Sequence, residues 1–338
     1  MSESALDQIV NDLRSSGSRY FPQHSDAKTA RVVGHTPKPD HYTYEIVLDF
    51  PDSSERVNAK IYRGRNGSRS PQDLALREAQ NLQFAHDVAQ RRGLDGVPRP
   101  VGDYAQLGAV VSTKVNGLPL QSIIMKAALL PGDGNHQLLE TAARQAGEWL
   151  QRFHRASTGI PAPLDGAGVM SDIEKLCVRA RKDGLPLEST EVILSRARNA
   201  LARQKRPLRS SALLYEFIPL NILVAETAVG FCEFAALSEQ GHSLLDVAMF
   251  LAAVEVLEKY PFCNRRITSV VQDAFVEAYG VTAQEEPLLE TLKMKVLLQM
   301  FAQGRLVKES AERKKVMWAN VMKRFIQRAA ERSAARVA

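Results

Sequence analysis

Leu214-Tyr215-Glu216-Phe217-Ile218-Pro219-Leu220-Asn221-Ile222-Leu223-Val224, followed by Phe231-Cys232-Glu233-Phe234, is the part of this chain whose reading decides the fold. Ile222-Leu223-Val224 and Val229-Gly230-Phe231-Cys232 are apolar runs separated by Ala225-Glu226-Thr227-Ala228. Two short apolar runs around so brief a connection predict a compact β-hairpin. The hairpin brings Asn221, before the first run, and Glu233, after the second, to the same end of the strand pair. An amide oxygen and a carboxylate gathered in that way are suited to a hard, oxygen-binding cation.

Around this stretch lie 338 residues, 45% hydrophobic and 24% charged, enough for one large domain or two lobes with a substantial core. The N-terminus lacks a basic start followed by an apolar run, and no segment approaches the roughly 18 apolar residues of a membrane span, so a cytoplasmic location is expected. Cys177, Cys232 and Cys263 are too few and too scattered for a disulfide framework or a zinc site, and read as buried or inert thiols. The net charge of +6 is uneven: from Arg305 onward ten Lys or Arg face only Glu309, Glu312 and Glu331. Trp318, Val321, Met322, Phe325 and Ile326 form one apolar face there, giving a basic amphipathic helix that packs on the body or makes peripheral contact with anionic lipid. Nucleic acid is not an expected partner.

Upstream, residues 3–15 show helical spacing through Leu6, Ile9, Val10 and Leu13. Three β-branched or aromatic segments, 29–34, 42–50 and 56–62, then predict an antiparallel meander, with 35–41 as the first turn. Ser70-Pro71-Gln72-Asp73 opens a helix, with Ser70 as cap and Pro71 at the first helical position. Leu74, Leu82, Ala85 and Ala89 make its apolar stripe, and Glu78 falls inside that stripe. A carboxylate there is costly to bury without a cation. Lys60 lies between Ala59 and Ile61 on the third strand, in a V-x-x-K pattern from Val57.

Gly96-Val97-Pro98-Arg99-Pro100 cannot continue a helix and leads to a strand near 109–113, then to an extended segment, Lys114 to Leu120. Leu139, Ala142, Ala146, Trp149, Leu150 and Phe153 recur at helical spacing and end at His154-Arg155. Residues 160–210 read as a helical insertion, with nine Lys or Arg against five acids from Ser171 to Pro207. That balance disfavours a polycationic ligand and fits a neutral or anionic one somewhat better, though a solvated helix face is the simpler account of it.

Order and spacing together resemble the aminoglycoside phosphotransferase and choline kinase family, distant relatives of protein kinases, whose loops read His-Gly-Asp-x-x-x-x-Asn and then Ile-Asp-Phe. The resemblance runs over about residues 29–325 and implies an α+β, two-lobed protein-kinase-like fold. Residues 1–117 would form a small lobe of antiparallel sheet and helix. Residues 118–338 would form a mainly helical lobe with the hairpin, the 160–210 insertion and the basic C-terminal helix. By this likeness Lys60 and Glu78 orient the α and β phosphates of ATP, and backbone near Val115 meets the adenine edge. Glu216 stands where the family has its catalytic Asp, while Asn221 and Glu233 stand where it holds Mg2+. Asp246, in Leu245-Asp246-Val247-Ala248, stands where an Asp braces the catalytic loop, and His154 where a histidine packs behind it.

The chemical letters depart from the family pattern. Leu214 replaces its His, Tyr215 its Gly, Ile218 a frequent second His and Leu220 another Gly, and the first turn keeps only Gly34 beside two prolines. Both Asp-to-Glu changes keep charge but add roughly 1.3 Å of reach. A misplacement on the order of 1 Å costs about a hundredfold in rate. The resemblance therefore implies a pseudokinase or impaired kinase that binds nucleotide or another ligand, including a protein partner, in the interlobe cleft. The alternatives are an active ATP-dependent phosphotransferase acting on a hydroxyl of a neutral or anionic substrate, and a basic protein contacting a membrane or polyanion.

Overall fold

The computed structural model describes residues 4–64, 69–130, 132–226, 228–260, 262–304, 320, 322–324 and 326–327. In chain order it begins with α1 (Ala5–Ser15), α2 (Gly17–Tyr20), β1 (Thr29–Pro37), β2 (His41–Asp49), β3 (Ser54–Tyr62), α3 (Pro71–Arg91) and β4 (Ala109–Thr113). Next come β5 (Leu118–Pro119), α4 (Leu120–Leu129), α5 (Asp133–Ala156), α6 (Gly166–Lys182) and α7 (Leu187–Arg203). The last part holds β6 (Ser210–Leu213), β7 (Ile222–Val224), β8 (Val229–Phe231), β9 (Ser238–His242), α8 (Leu244–Val256), α9 (Arg265–Tyr279) and α10 (Glu286–Gly304).

Two compact units result, Met1–Gly117 with Leu223–Leu237, and Leu118–Ile222 with Ser238–Ala338. In the first, β1 to β4 form one antiparallel sheet in sequential order. The strand β1 runs on through His35-Thr36-Pro37, which the sequence placed in the turn, because His35, Thr36 and Pro37 pair with Tyr44, Thr43 and Tyr42. One sheet face is apolar: Ile46, Leu48, Val57, Ala59, Ala109 and Val111 pack with Ile9 and Leu13 of α1 and with Phe21. Asp12, on α1, accepts hydrogen bonds from the hydroxyls of Tyr20 and Tyr104, each at 2.6 Å, so the helix is fastened by a polar clasp as well as by burial.

The helix α3 starts as its cap residues dictate: Ser70 accepts from the Asp73 backbone N–H, and Pro71 opens the first turn. Its buried positions are Ala75, Glu78, Leu82, Ala85, Val88 and Ala89. The segment Leu223–Leu237 belongs to this unit, whereas chain order had put the whole hairpin in the second lobe. Local bonds explain the placement. The Phe231 N–H donates to Gly96 O at 2.9 Å, and the Asn81 amide on α3 donates to Phe234 O at 2.9 Å.

The second unit is helical around an aromatic core. Trp149 stacks on Phe153 and on Phe217, and Phe217 contacts Phe250 and Phe275, which stack with ring centroids 3.8 Å apart. The helices α6 and α7 occupy the insertion and pack on α10. Cys177 and Cys263 are buried and Cys232 is exposed, all three as free thiols. Of the basic C-terminal helix, nearly all of residues 305–338 lie outside the described residues; Met322 and Ile326 are buried. No helix among the described residues is long and apolar enough to cross a membrane.

Candidate functional site

In the first unit the strand β3 presents Lys60 toward α3. Its ammonium donates to Glu78 Oε1 at 3.0 Å, joining the two residues paired from the sequence. Both are deeply placed, with side chains 12% and 5% exposed. The other Glu78 oxygen accepts a hydrogen bond from the Tyr62 hydroxyl, so the whole carboxylate is engaged. Tyr62 went unnoticed in the sequence, yet it lies two residues from Lys60 on the same strand, and residues at that spacing share a sheet face.

Glu233 joins the same cluster, its Oε1 lying 2.5 Å from the Lys60 ammonium with its side chain 18% exposed. Burial pulls the Lys60 ammonium down, but the carboxylates of Glu78 and Glu233 outweigh it and hold the group protonated well above the usual lysine range. Burial, with the Glu78 charge behind it, pushes the Tyr62 phenol up, so it stays a donor. His41 next door is held below the ordinary imidazole value, chiefly by burial and then by the Lys60 charge. Backbone on the C-terminal side of Glu233 is fixed by the Asn81 amide on Phe234 O and by Phe234 packing edge-on against Phe231. Val115, expected near an adenine edge, is half-buried; a Cβ on Gly230 would lie 2.4 Å from its Cγ1, so only glycine permits this approach.

Asp246 organises the second unit. Fully buried at the start of α8, it accepts from the backbone N–H groups of Leu214 and Tyr215 at 2.8 and 2.7 Å. His154 hydrogen-bonds it through Nε2 at 3.1 Å, and His154 Nδ1 lies 2.9 Å from the Tyr279 hydroxyl. Tyr279, absent from the sequence reading, is pushed up to about 12 by burial, with the negative charge of Asp246 adding to the shift. Its place on α9, far along the chain from His154, left no local signal.

Two adjacent amides drawn onto one carboxylate bend the chain sharply. Tyr215 has φ +56°, and no other non-glycine among the described residues has a positive φ. The Glu216 N–H closes the bend by donating to Leu214 O at 2.7 Å. An i to i+2 bond about a residue of positive φ is the strained form of γ-turn. Glu216 itself is exposed, its carbonyl accepting from the Asn221 side-chain amide at 3.0 Å. The loop thus presents the Glu216 side chain outward while Asn221 ties its base.

Of the two residues expected to hold magnesium, Asn221 donates its side-chain amide to the Glu216 carbonyl at 3.0 Å, and Glu233 accepts from the Lys60 ammonium at 2.5 Å; a dication on Glu233 would displace or share that ammonium.

No family model and no curated protein matches the sequence. Solved structures do match. A Ralstonia eutropha protein assigned as an aminoglycoside phosphotransferase superposes with TM-score 0.57 at 12% identity, over 94% of this chain and 98% of that one. An amicoumacin kinase in complex with AMP-PNP, Ca2+ and Ami gives 0.54 at 12% identity, over 87% and 88%. A choline/ethanolamine kinase family protein from Mesorhizobium loti gives 0.51 at 14% identity, over 96% and 99%. The chain therefore has a two-lobed protein-kinase-like fold, with an antiparallel sheet in its first part and helices in most of the rest. Within that class, its fold is the one shared by aminoglycoside phosphotransferases and choline kinases.

Proposed function

We propose that this chain is a nucleotide-binding member of the phosphotransferase fold whose phosphoryl transfer is strongly impaired. The observation that carries this reading is the buried Lys60–Glu78 ion pair at 3.0 Å. In kinase-like folds a strand lysine steadied by a helix glutamate meets the α and β phosphates. Burying such a pair without use for it would be a poor bargain, because removing two charges from water costs several kcal/mol per ion. Impairment is supported by the chemistry on either side of it. Glu233 is occupied by Lys60, and Glu216 extends from a loop whose orienting His and Gly are Leu214 and Tyr215.

The test is the melting temperature of the chain with saturating ATP, with and without Mg2+, alongside transfer of radiolabelled phosphate to candidate alcohols. The expected outcome is an ATP-dependent rise that Lys60→Ala removes, with no transfer at ordinary enzyme rates. Transfer at rates near the common 1–100 per second of kinases would replace impairment by the second reading, an active small-molecule phosphotransferase. That reading is favoured by one observation, the intact brace of Asp246 on the Leu214 and Tyr215 amides. It predicts that Glu216→Gln abolishes transfer while leaving the ATP-dependent rise in place.

A further inference from the structure

We propose that Glu233 is a built-in competitor for Lys60: its carboxylate occupies the face of the ammonium that a nucleotide phosphate would take, and the contact must open before phosphate can bind. The inference rests on the nucleotide reading above and adds the regulation of that same group. Two features of the first unit carry it.

Stoichiometry comes first. One ammonium stands against two carboxylates, at 3.0 Å from Glu78 and 2.5 Å from Glu233. Glu78 is also held by Tyr62 and is the more deeply buried, so it is the fixed partner. Glu233 is the more exposed of the two acids, so the latch places the opening at its contact with Lys60. A phosphate approaching Lys60 meets the Glu233 carboxylate as a like charge.

Reach comes second. Phe231 is tied to Gly96, and Phe234 to Asn81, so the backbone flanking Glu233 is held on both sides. From a fixed backbone an aspartate falls short by roughly 1.3 Å, and the contact with Lys60 would open beyond hydrogen-bonding distance. The extra methylene is what closes the latch.

The sign of the expected response separates this role from a metal ligand's. A metal ligand at Glu233 would make Glu233→Ala weaken binding of ATP in the presence of Mg2+. A latch makes the same change strengthen binding of ATP without metal, because the fraction of chains with Lys60 available rises and the apparent dissociation constant falls in proportion.

The experiment measures ATP affinity by calorimetry on the full chain, in EDTA and in Mg2+, for wild type, Glu233→Ala and Glu233→Asp. In EDTA both variants are expected to bind about tenfold tighter than wild type. Equal or weaker binding by both variants overturns the latch and leaves the nucleotide reading standing. If ATP binds none of the three chains in either buffer, the nucleotide reading falls, and a second arm decides the latch. Pyridoxal phosphate, an anionic aldehyde that forms an imine with free lysines, is added, reduced with borohydride and mapped by peptide mass. Labelling of Lys60 in Glu233→Ala and Glu233→Asp but not in wild type supports the latch. Equal labelling in all three overturns it.

Discussion

Tyr215 shows how one residue can bear strain for a loop. A left-handed backbone costs a non-glycine residue roughly 1–2 kcal/mol, and Tyr215 adopts it because Asp246 holds the amides of Leu214 and Tyr215 together. Tyr215→Gly is therefore expected to be neutral or stabilising by up to about 1 kcal/mol in urea denaturation, whereas β-branched Tyr215→Val destabilises by about 1–3 kcal/mol. Asp246→Ala strands two backbone donors and the His154 ring in a buried place, so its expected cost is larger, about 3–5 kcal/mol by the same measurement. The need for a cation beside Glu78 was legible at this scale, because an acid in an apolar stripe demands one. That Lys60 would serve Glu233 as well was not, since the contact joins residues 173 positions apart in the chain.

Elements were legible where capping and periodicity agreed. Ser70 and Pro71 announced α3, and its register put Glu78 inward. Ser70→Ala should cost about 1 kcal/mol, read from the denaturation midpoint at unchanged slope. The anchoring of α1 was less visible: spacing revealed Ile9 and Leu13, but Asp12 looked like any solvent-facing acid until Tyr20 and Tyr104 converged on it. Burial works to raise Asp12, yet hydrogen bonds from Tyr104, Tyr20 and Ser16 and the nearby Arg19 charge outweigh it and hold the carboxyl below its ordinary 3.8. The unfolded chain then binds the proton more readily, so this stabilisation is present above pH 3.8 and lost as pH falls through and below that value. Amide protection factors in α1, measured against the intrinsic exchange rate at each pH, should fall selectively below about pH 4, and Asp12→Asn should flatten that dependence.

At the scale of the molecule, the first unit is assembled from two stretches of chain, Met1–Gly117 and Leu223–Leu237. A fragment of residues 1–117 alone lacks Glu233 opposite Lys60, and the Phe231 and Phe234 groups that meet Gly96 and Asn81. Residues 223–237 joined to that fragment by a flexible linker should raise its melting temperature by several degrees, since a gain of about 1 kcal/mol shifts a domain of this size by roughly 4–8 °C. No rise in circular-dichroism melts would mean that the hairpin contributes little to the unit's stability.

The sequence by itself determined the meander, the capped helix and the inward Glu78 with its demand for a cation, which follow from local rules of period, capping and the cost of a buried charge, acting within a few residues. Lys60 as that cation, and Asp246 at the start of a buried helix, came from the likeness of motif order to the phosphotransferase fold. Only the tertiary structure decided that Glu233 meets Lys60, that Tyr62 completes Glu78, and that Asp246 bends Tyr215 into a left-handed turn. Those outcomes depend on side-chain reach measured to about an ångström between distant parts of the chain, a quantity that spacing along the sequence does not encode.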